Sequence, residues 1–106
     1  MNQHVALTES TYYILLSLTT PQHGYGIMQM TEQMSDGRVR LAAGTLYGAL
    51  SALCEKGWII PLPFGEDSRK KEYELLPPGR DALLGEIERL RELLRSAENT
   101  MGGKEA

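Results

Sequence analysis

The chain has one cysteine, two histidines, one tryptophan and one phenylalanine among 106 residues. A single cysteine, Cys54, cannot form an internal disulfide, so the fold must stand on its core, and cysteine usage gives no reason to invoke an oxidising compartment. His4 and His23 lie 19 positions apart with no cysteine or carboxylate at ligand spacing, which argues against a metal site; no cofactor is expected. No apolar run approaches the ~20 residues that span a bilayer, and no cleavable leader is expected before the first helical segment, so a cytoplasmic location is expected. Cations are in the minority, 11 Lys and Arg against 14 Asp and Glu, giving a net charge of -3. That excludes a uniformly basic nucleic-acid binder but not a local basic patch. What is present is ordinary for a globular domain: 42% apolar and 24% charged residues in a length that suits one small core with an appended element.

Thr8 has the chemistry of a helix N-cap, and Leu7 and Tyr12 flank it at the spacing of a hydrophobic staple. The following run, Tyr12 to Leu18, is apolar nearly all round, as a central buried helix would be, and Pro21 ends it. A second helix is expected to start in His23-Gly24-Tyr25-Gly26 and to run to about Met34, with Ile27, Met30, Thr31 and Met34 on one face. Ser35-Asp36-Gly37 supplies its stop, and Met28, Met30 and Met34 read as core filler.

The third helix, from about Ala43 to Lys56, places Leu46, Ala49, Leu50 and Leu53 on one stripe. The opposite side carries Gly44, Gly48, Ser51, Ala52 and Glu55, nearly all of them among the smallest residues. Each glycine costs about 1 kcal/mol relative to alanine inside a helix, which a close approach would offset. Tight entry and helix packing account for Gly44 but less well for Gly48, which points outward. Cys54 lies beside the buried stripe with no base partner, so it reads as packing and not as a nucleophile.

Gly57 ends that helix. Trp58 to Pro63 is a short run suited to an edge strand, Phe64 to Ser68 a turn, and Lys71, Tyr73 and Leu75 alternate with Lys70, Glu72 and Glu74 as in a half-buried strand. The two runs predict a two-stranded hairpin. Trp58 reads as a packing residue before it reads as a stacking site for an effector. After Pro77-Pro78-Gly79, residues Leu83, Ile87, Leu90, Leu94, Ala97 and Met101 repeat at 4, 3, 4, 3, 4, widened by Leu84 and Leu93, the spacing of a coiled-coil seam. Glu86–Arg89, Glu88–Arg91 and Glu92–Arg95 are expected as ion pairs on its wet side.

The predicted fold is mainly α with a small antiparallel hairpin, the order of a winged helix-turn-helix, followed by a C-terminal dimerisation helix. The expected division is 5–76 for the DNA-binding domain, 77–101 for the dimerisation helix and 102–106 for a frayed tail. Charge supports that order locally. Residues 38–71 carry Arg38, Arg40, Lys56, Arg69, Lys70 and Lys71 against three acids, a net +3, and the remainder of the chain is -6. Phosphate neutralisation depends on where cations stand and not on their sum, so Arg38, Arg40 and the 69–71 triplet are candidate backbone contacts. Most basic triplets are solvated turns, and the position on the wing is what favours phosphate here.

The stretches Leu7-Thr8-Glu9, His23-Gly24-Tyr25-Gly26-Ile27 and Gly44-Thr45-Leu46-Tyr47, with Leu50, Leu53, Gly57, the segment Arg69 to Leu75 and Gly79-Arg80, resemble the PadR family of bacterial transcription regulators. The resemblance runs over roughly residues 5 to 95 and is closest to the smaller subgroup with one C-terminal helix. It implies a homodimer joined through the last helix that binds double-stranded operator DNA and represses until an effector weakens the complex. It further implies that Thr45 and Tyr47 touch the DNA backbone, that Tyr25 supports the same surface and that Lys70 and Lys71 line the wing. Some relatives take planar aromatic molecules between subunits, so a small aromatic effector is among the expected partners. Apart from the resemblance, Tyr47 reads as a half-buried aromatic at the edge of the core. Two positions depart from the pattern: Leu76, followed by Pro77 and Pro78, stands in place of a threonine cap, and Glu72 stands where an aromatic or basic residue is usual. The other class to weigh is a winged-helix protein-interaction module that does not bind DNA, which the net acidity and the wing residues Glu72 and Glu74 favour. With no nucleophile–base set, no carboxylate pair and no phosphate-cradling loop, an enzyme is not expected.

Overall fold

The computed structural model describes residues 6–63 and 71–102. Its elements run α1 (Glu9–Ser17), β1 (Gln22–His23), α2 (Gly24–Met34), α3 (Ala43–Glu55), β2 (Ile59–Pro61), β3 (Glu72–Leu75) and α4 (Pro77–Met101). The Thr8 hydroxyl accepts from the Thr11 amide at 3.1 Å and so caps α1, whose Ile14, Leu15 and Leu18 end form the centre of the core. Ser17 is buried there because its hydroxyl donates to the Ile14 carbonyl at 2.8 Å, leaving no unmet polar group. Ile27 of α2, Leu46, Leu50 and Leu53 of α3, Ile59 of β2 and Leu83 of α4 close around them.

Two helix ends stand where the sequence expects them. The cap of α2 is His23, whose Nδ1 accepts from the Gly26 amide at 3.0 Å. The C-cap of α3 is Lys56, and Gly57 follows at φ +77°, the left-handed turn that releases the chain into β2.

The sheet has three strands where the sequence predicts two. Gln22 and His23 pair antiparallel with Tyr73 and Glu72, so β3 lies between β1 and β2. Two residues directly after Pro21 are too few to show a period, and a bridge so short is invisible in sequence. On the other side of β3, Ile59 faces Leu75, Ile60 faces Glu74 and Pro61 faces Tyr73. The expected turn at 64–68 lies outside the described residues.

Of the three methionines expected as core filler, Met28 packs half-buried against the core and the other two do not. Met34 is exposed and Met28 lines a surface hollow beside Tyr25 and Arg40. Met30 is half-buried and its sulfur accepts from the Gln22 side-chain Nε2 at 3.3 Å. Thr31, and not Met34, completes the buried face of α2.

α4 begins on Leu76, whose amide donates to the Trp58 carbonyl at 2.9 Å, and Pro77 and Pro78 occupy the first turn, where a missing N–H costs least. The space a Cβ would take at Gly79 is filled by the same Trp58 carbonyl. This seat fixes where α4 leaves the wing. Leu83 and Ile87 then pack on the core, and the helix continues beyond it, giving the protomer its 57 Å long axis.

Candidate nucleic-acid interface

α3 buries Leu46, Leu50 and Leu53 and turns Gly44, Thr45, Gly48 and Ser51 to solvent. A Cβ at Gly44 or Gly48 would meet no neighbouring atom within 4 Å, so packing within the protomer accounts for neither glycine. The outward face is a shallow ridge with two polar hydroxyls and almost no side-chain relief.

Tyr47 stands on one flank of this ridge, 48% exposed, with its hydroxyl directly against Gly24 at the start of α2. Tyr25, the next residue, is 63% exposed. Tyr25 lines a surface hollow with Met28, Glu32 and Arg40, while Tyr47 sits at the α2–α3 corner. The same flank faces the wing. Burial holds the Tyr73 phenol above its ordinary pKa, with Cys54 and Tyr47 adding to the effect. Burial likewise raises the Cys54 thiol, and Lys71 opposes that rise, which places Lys71 near the α3–β3 seam. A thiol kept protonated agrees with a packing role for Cys54.

The arginines before α3 turn elsewhere. Arg38 reaches back to α1 and pairs with Glu9 at 2.5 Å, and Arg40 pairs with Glu32 of α2 at 3.6 Å. Hydrogen bonding to Arg38 holds the Glu9 carboxyl below its ordinary value. Both pairs are well exposed, and such pairs are worth about 0–1 kcal/mol. Arg69 and Lys70 lie outside the described residues.

Of the six residues expected on the C-terminal seam, Leu83 belongs to the protomer's own core at 2% exposure and is corrected out of it, and Ile87 is half-buried against that core. The exposed part consists of Leu90, Leu93, Leu94 and Met101, with Ala97 half-buried and Leu84 open on a separate flank. Glu86, expected on the wet side, is buried instead at 3% exposure. It takes two hydrogen bonds from Arg89, at 2.9 and 2.7 Å, and one from the Leu7 amide at 3.3 Å, tying the approach to α1 onto α4. The Arg89 bonds are the main reason its carboxyl sits below the ordinary range. Glu88–Arg91 forms at 3.6 Å, and Glu92–Arg95 does not.

The model of the PadR-like transcriptional regulator family matches residues 13–84, most of the chain. The chain belongs to the PadR-like family. Its members are transcriptional regulators and not enzymes, and this chain has their winged-helix fold and the architecture of a DNA-binding regulator. A PadR family regulator from Clostridium difficile superposes with a TM-score of 0.67 at 23% identity, over 91% of this chain and 100% of that one. A transcriptional regulator from Clostridium thermocellum gives 0.69 at 24% identity, over 86% and 89%. BpsR of Bordetella bronchiseptica, whose DNA binding is regulated by 6-hydroxynicotinic acid, gives 0.69 at 17% identity, over 87% of this chain and 65% of BpsR. In sequence, the chain is 43% identical over 63 residues to an uncharacterised 37.1 kDa protein of a Streptomyces fradiae transposon, of which it spans 17%.

Proposed function

We propose that this PadR-like protein is a homodimeric repressor that grips an operator with α3 and the wing and is released by a small aromatic effector. The observation that carries the reading is the bare ridge of α3: two glycines that nothing inside the protomer requires, bounded by the exposed phenols of Tyr47 and Tyr25. A ridge without bulk lets the helix backbone sit deep in a major groove. In this reading Thr45, Tyr47 and Lys71 take phosphates, Tyr25 supports Tyr47, and Arg38, Arg40, Arg69 and Lys70 add charge around them. With so few long side chains to reach base edges, much of the specificity comes from the shape of the duplex. α4 supplies the dimer contact through Leu90, Leu94, Ala97 and Met101, residues 77–101 forming the dimerisation helix. An effector acts by changing the angle between the two α4 helices and so the spacing of the two α3 helices, which must match half-sites about one helical turn apart. A neighbour regulated by an aromatic acid supports the effector class.

Titration of the DNA upstream of its own gene at two salt concentrations tests this. Binding in the nanomolar range that weakens steeply with salt is expected, and no complex, or one indifferent to salt, would refute it. The second reading, an interaction module without DNA binding, draws on the net charge of -3 and on the carboxylates already paired with Arg38 and Arg40. Replacing Lys70 and Lys71 with Ala separates the two. A DNA reader loses affinity evenly across sequences and shows a shallower salt slope, whereas an interaction module keeps its partner.

A further inference from the structure

An imidazole caps α2. The His23 Nδ1 accepts from the Gly26 amide at 3.0 Å, the role that Ser, Thr, Asp or Asn takes at most helix starts. Nδ1 accepts only while it carries no proton, so the cap belongs to the neutral ring with its hydrogen on Nε2. Imidazole is also the side chain whose charge ordinarily changes near neutral pH, and His23 is only half-buried, open to protons from solvent. A proton taken up at Nδ1 leaves a donor facing the Gly26 N–H and puts a positive charge at the positive end of the α2 dipole. Both effects expel the ring from the cap.

The wing offers the expelled ring a partner. His23 stands opposite Glu72 across the β1–β3 pair. The Glu72 carbonyl accepts the Leu62 amide at 2.8 Å, so the main-chain groups of Glu72 face the β2 side. Towards β1 the two residues are then a non-hydrogen-bonded pair, the closer kind, with Cα atoms about 4.5 Å apart and side chains on one face. The other charged or titratable groups around His23 are Glu74 on that same face of β3, Lys71 and Tyr73 on its other face, Tyr47 of α3 against Gly24, and Tyr25 of α2. Only the two carboxylates favour an imidazolium, and Glu72 is the one directly opposite. It is also the wing position where an aromatic or basic residue, which would give an imidazolium no anion, is usual in the family.

We infer that His23 is a pH-operated latch: the neutral ring caps α2, and the imidazolium swings to the Glu72 carboxylate and leaves the first turn of α2 uncapped. Beyond that turn α2 is held independently, by Ile27 in the core and by the Gln22 side-chain Nε2, which donates to the Met30 sulfur at 3.3 Å. The change is thus confined to residues 24–26. Gly24 is the seat of the Tyr47 phenol and Tyr25 is exposed beside it in the chain, so mild acid loosens both and weakens operator binding. The added positive charge does not offset this, because Glu72 neutralises it. The consequence for DNA rests on the operator-binding reading; the latch itself does not.

Imidazole and amide resonances of the 13C,15N-labelled full chain read the latch without DNA, over about pH 8 to 5.5, the range in which imidazole ordinarily titrates. His4 is the other histidine, and His23→Asn identifies which signals are His23's by removing them. At the alkaline end Nδ1 should show the shift of an unprotonated acceptor, and on acidification the Gly26 amide and the Glu72 carboxyl carbon should move with the His23 ring. Asn caps a helix but takes up no proton, so by urea denaturation the natural protein should lose about fivefold in its folding equilibrium relative to His23→Asn across the same range, the worth of a typical N-cap. His23→Ala should behave at alkaline pH as the natural protein does in acid; the resonances of the natural chain decide the matter if that variant folds poorly. A Gly26 amide that ignores the ring's titration, or a His23→Asn variant with the same pH response as the natural protein, overturns the latch. A Glu72 carboxyl carbon that stays fixed overturns the swing to the wing. Operator affinity should fall with pH in the natural protein and hold in His23→Asn, and an equal response in both overturns the link to DNA. If neither protein binds DNA at any pH, the operator reading fails while the resonances still decide the latch.

Discussion

The phenol of Tyr47 occupies the space that a side chain at Gly24 would need. The two residues belong to different helices, and the contact sets both the α2–α3 corner and the direction in which Tyr47 presents its hydroxyl. Gly24→Ala is expected to force the phenol aside, at about 1–3 kcal/mol for an overpacked contact. Urea denaturation should show that loss in the natural background and little of it with Tyr47→Ala. DNA affinity should fall in the Gly24→Ala single variant.

Gly48 sets stability against function. A methyl group there meets no neighbour and removes the conformational cost of a helical glycine, so Gly48→Ala should raise stability by about 1 kcal/mol. The same methyl would hold α3 off a duplex. Thermal denaturation and operator titration on one preparation should move in opposite directions, and a stabilised variant with unchanged DNA affinity would remove the ridge from the interface.

Leu94 is 54% exposed and Leu90 41%, so neither contributes much to the protomer's own core. Leu90→Glu with Leu94→Glu is expected to give a monomer by sedimentation, with the thermal stability of the isolated winged-helix core nearly unchanged. Operator affinity should collapse with the dimer, because one half-site contact cannot replace two.

Glu86 gives a pH dependence with a definite sign. Its folded carboxyl titrates below the ordinary 4.5, so the Arg89 and Leu7 bonds contribute stability above that value and lose it as pH falls through the lower, folded one. Glu86→Gln should cost about 1–2 kcal/mol at neutral pH, as for a lost charge-assisted bond. The gap to the natural protein should close as pH drops below 4.5. A gap that stays constant from neutral to acidic pH would mean the carboxylate's charge is unimportant.

The features that were legible in the sequence are those carried by local chemistry or by a period. Thr8 caps, Gly57 turns, and the α3 stripe of Leu46, Leu50 and Leu53 is buried as its spacing requires. What was hidden depends on residues brought together from afar. Glu86 looked like one member of a surface ladder because i,i+3 spacing cannot show that the Leu7 amide, 79 positions away, faces it. Leu83 fits the seam's period and the core equally well, since one helical face serves both along its length. The β1–β3 pairing is too short to leave a pattern. Gly24 and Gly79 carry a signal of sorts, being glycines in helical first turns, but which neighbour demands the space is known only from the fold.

At 1.5 Å per residue the 25 residues of α4 form a rod of about 37 Å whose root is the Trp58 carbonyl. Tilting such a rod by about 5° carries its far end through roughly 3 Å, the rise of two residues. The first turns are held by that carbonyl, by Leu83 in the core and by the Leu7 bond to Glu86, so such a tilt must carry the neighbouring core with it. Two rods clamped tip to tip would turn it into a change in the stance of the whole molecule.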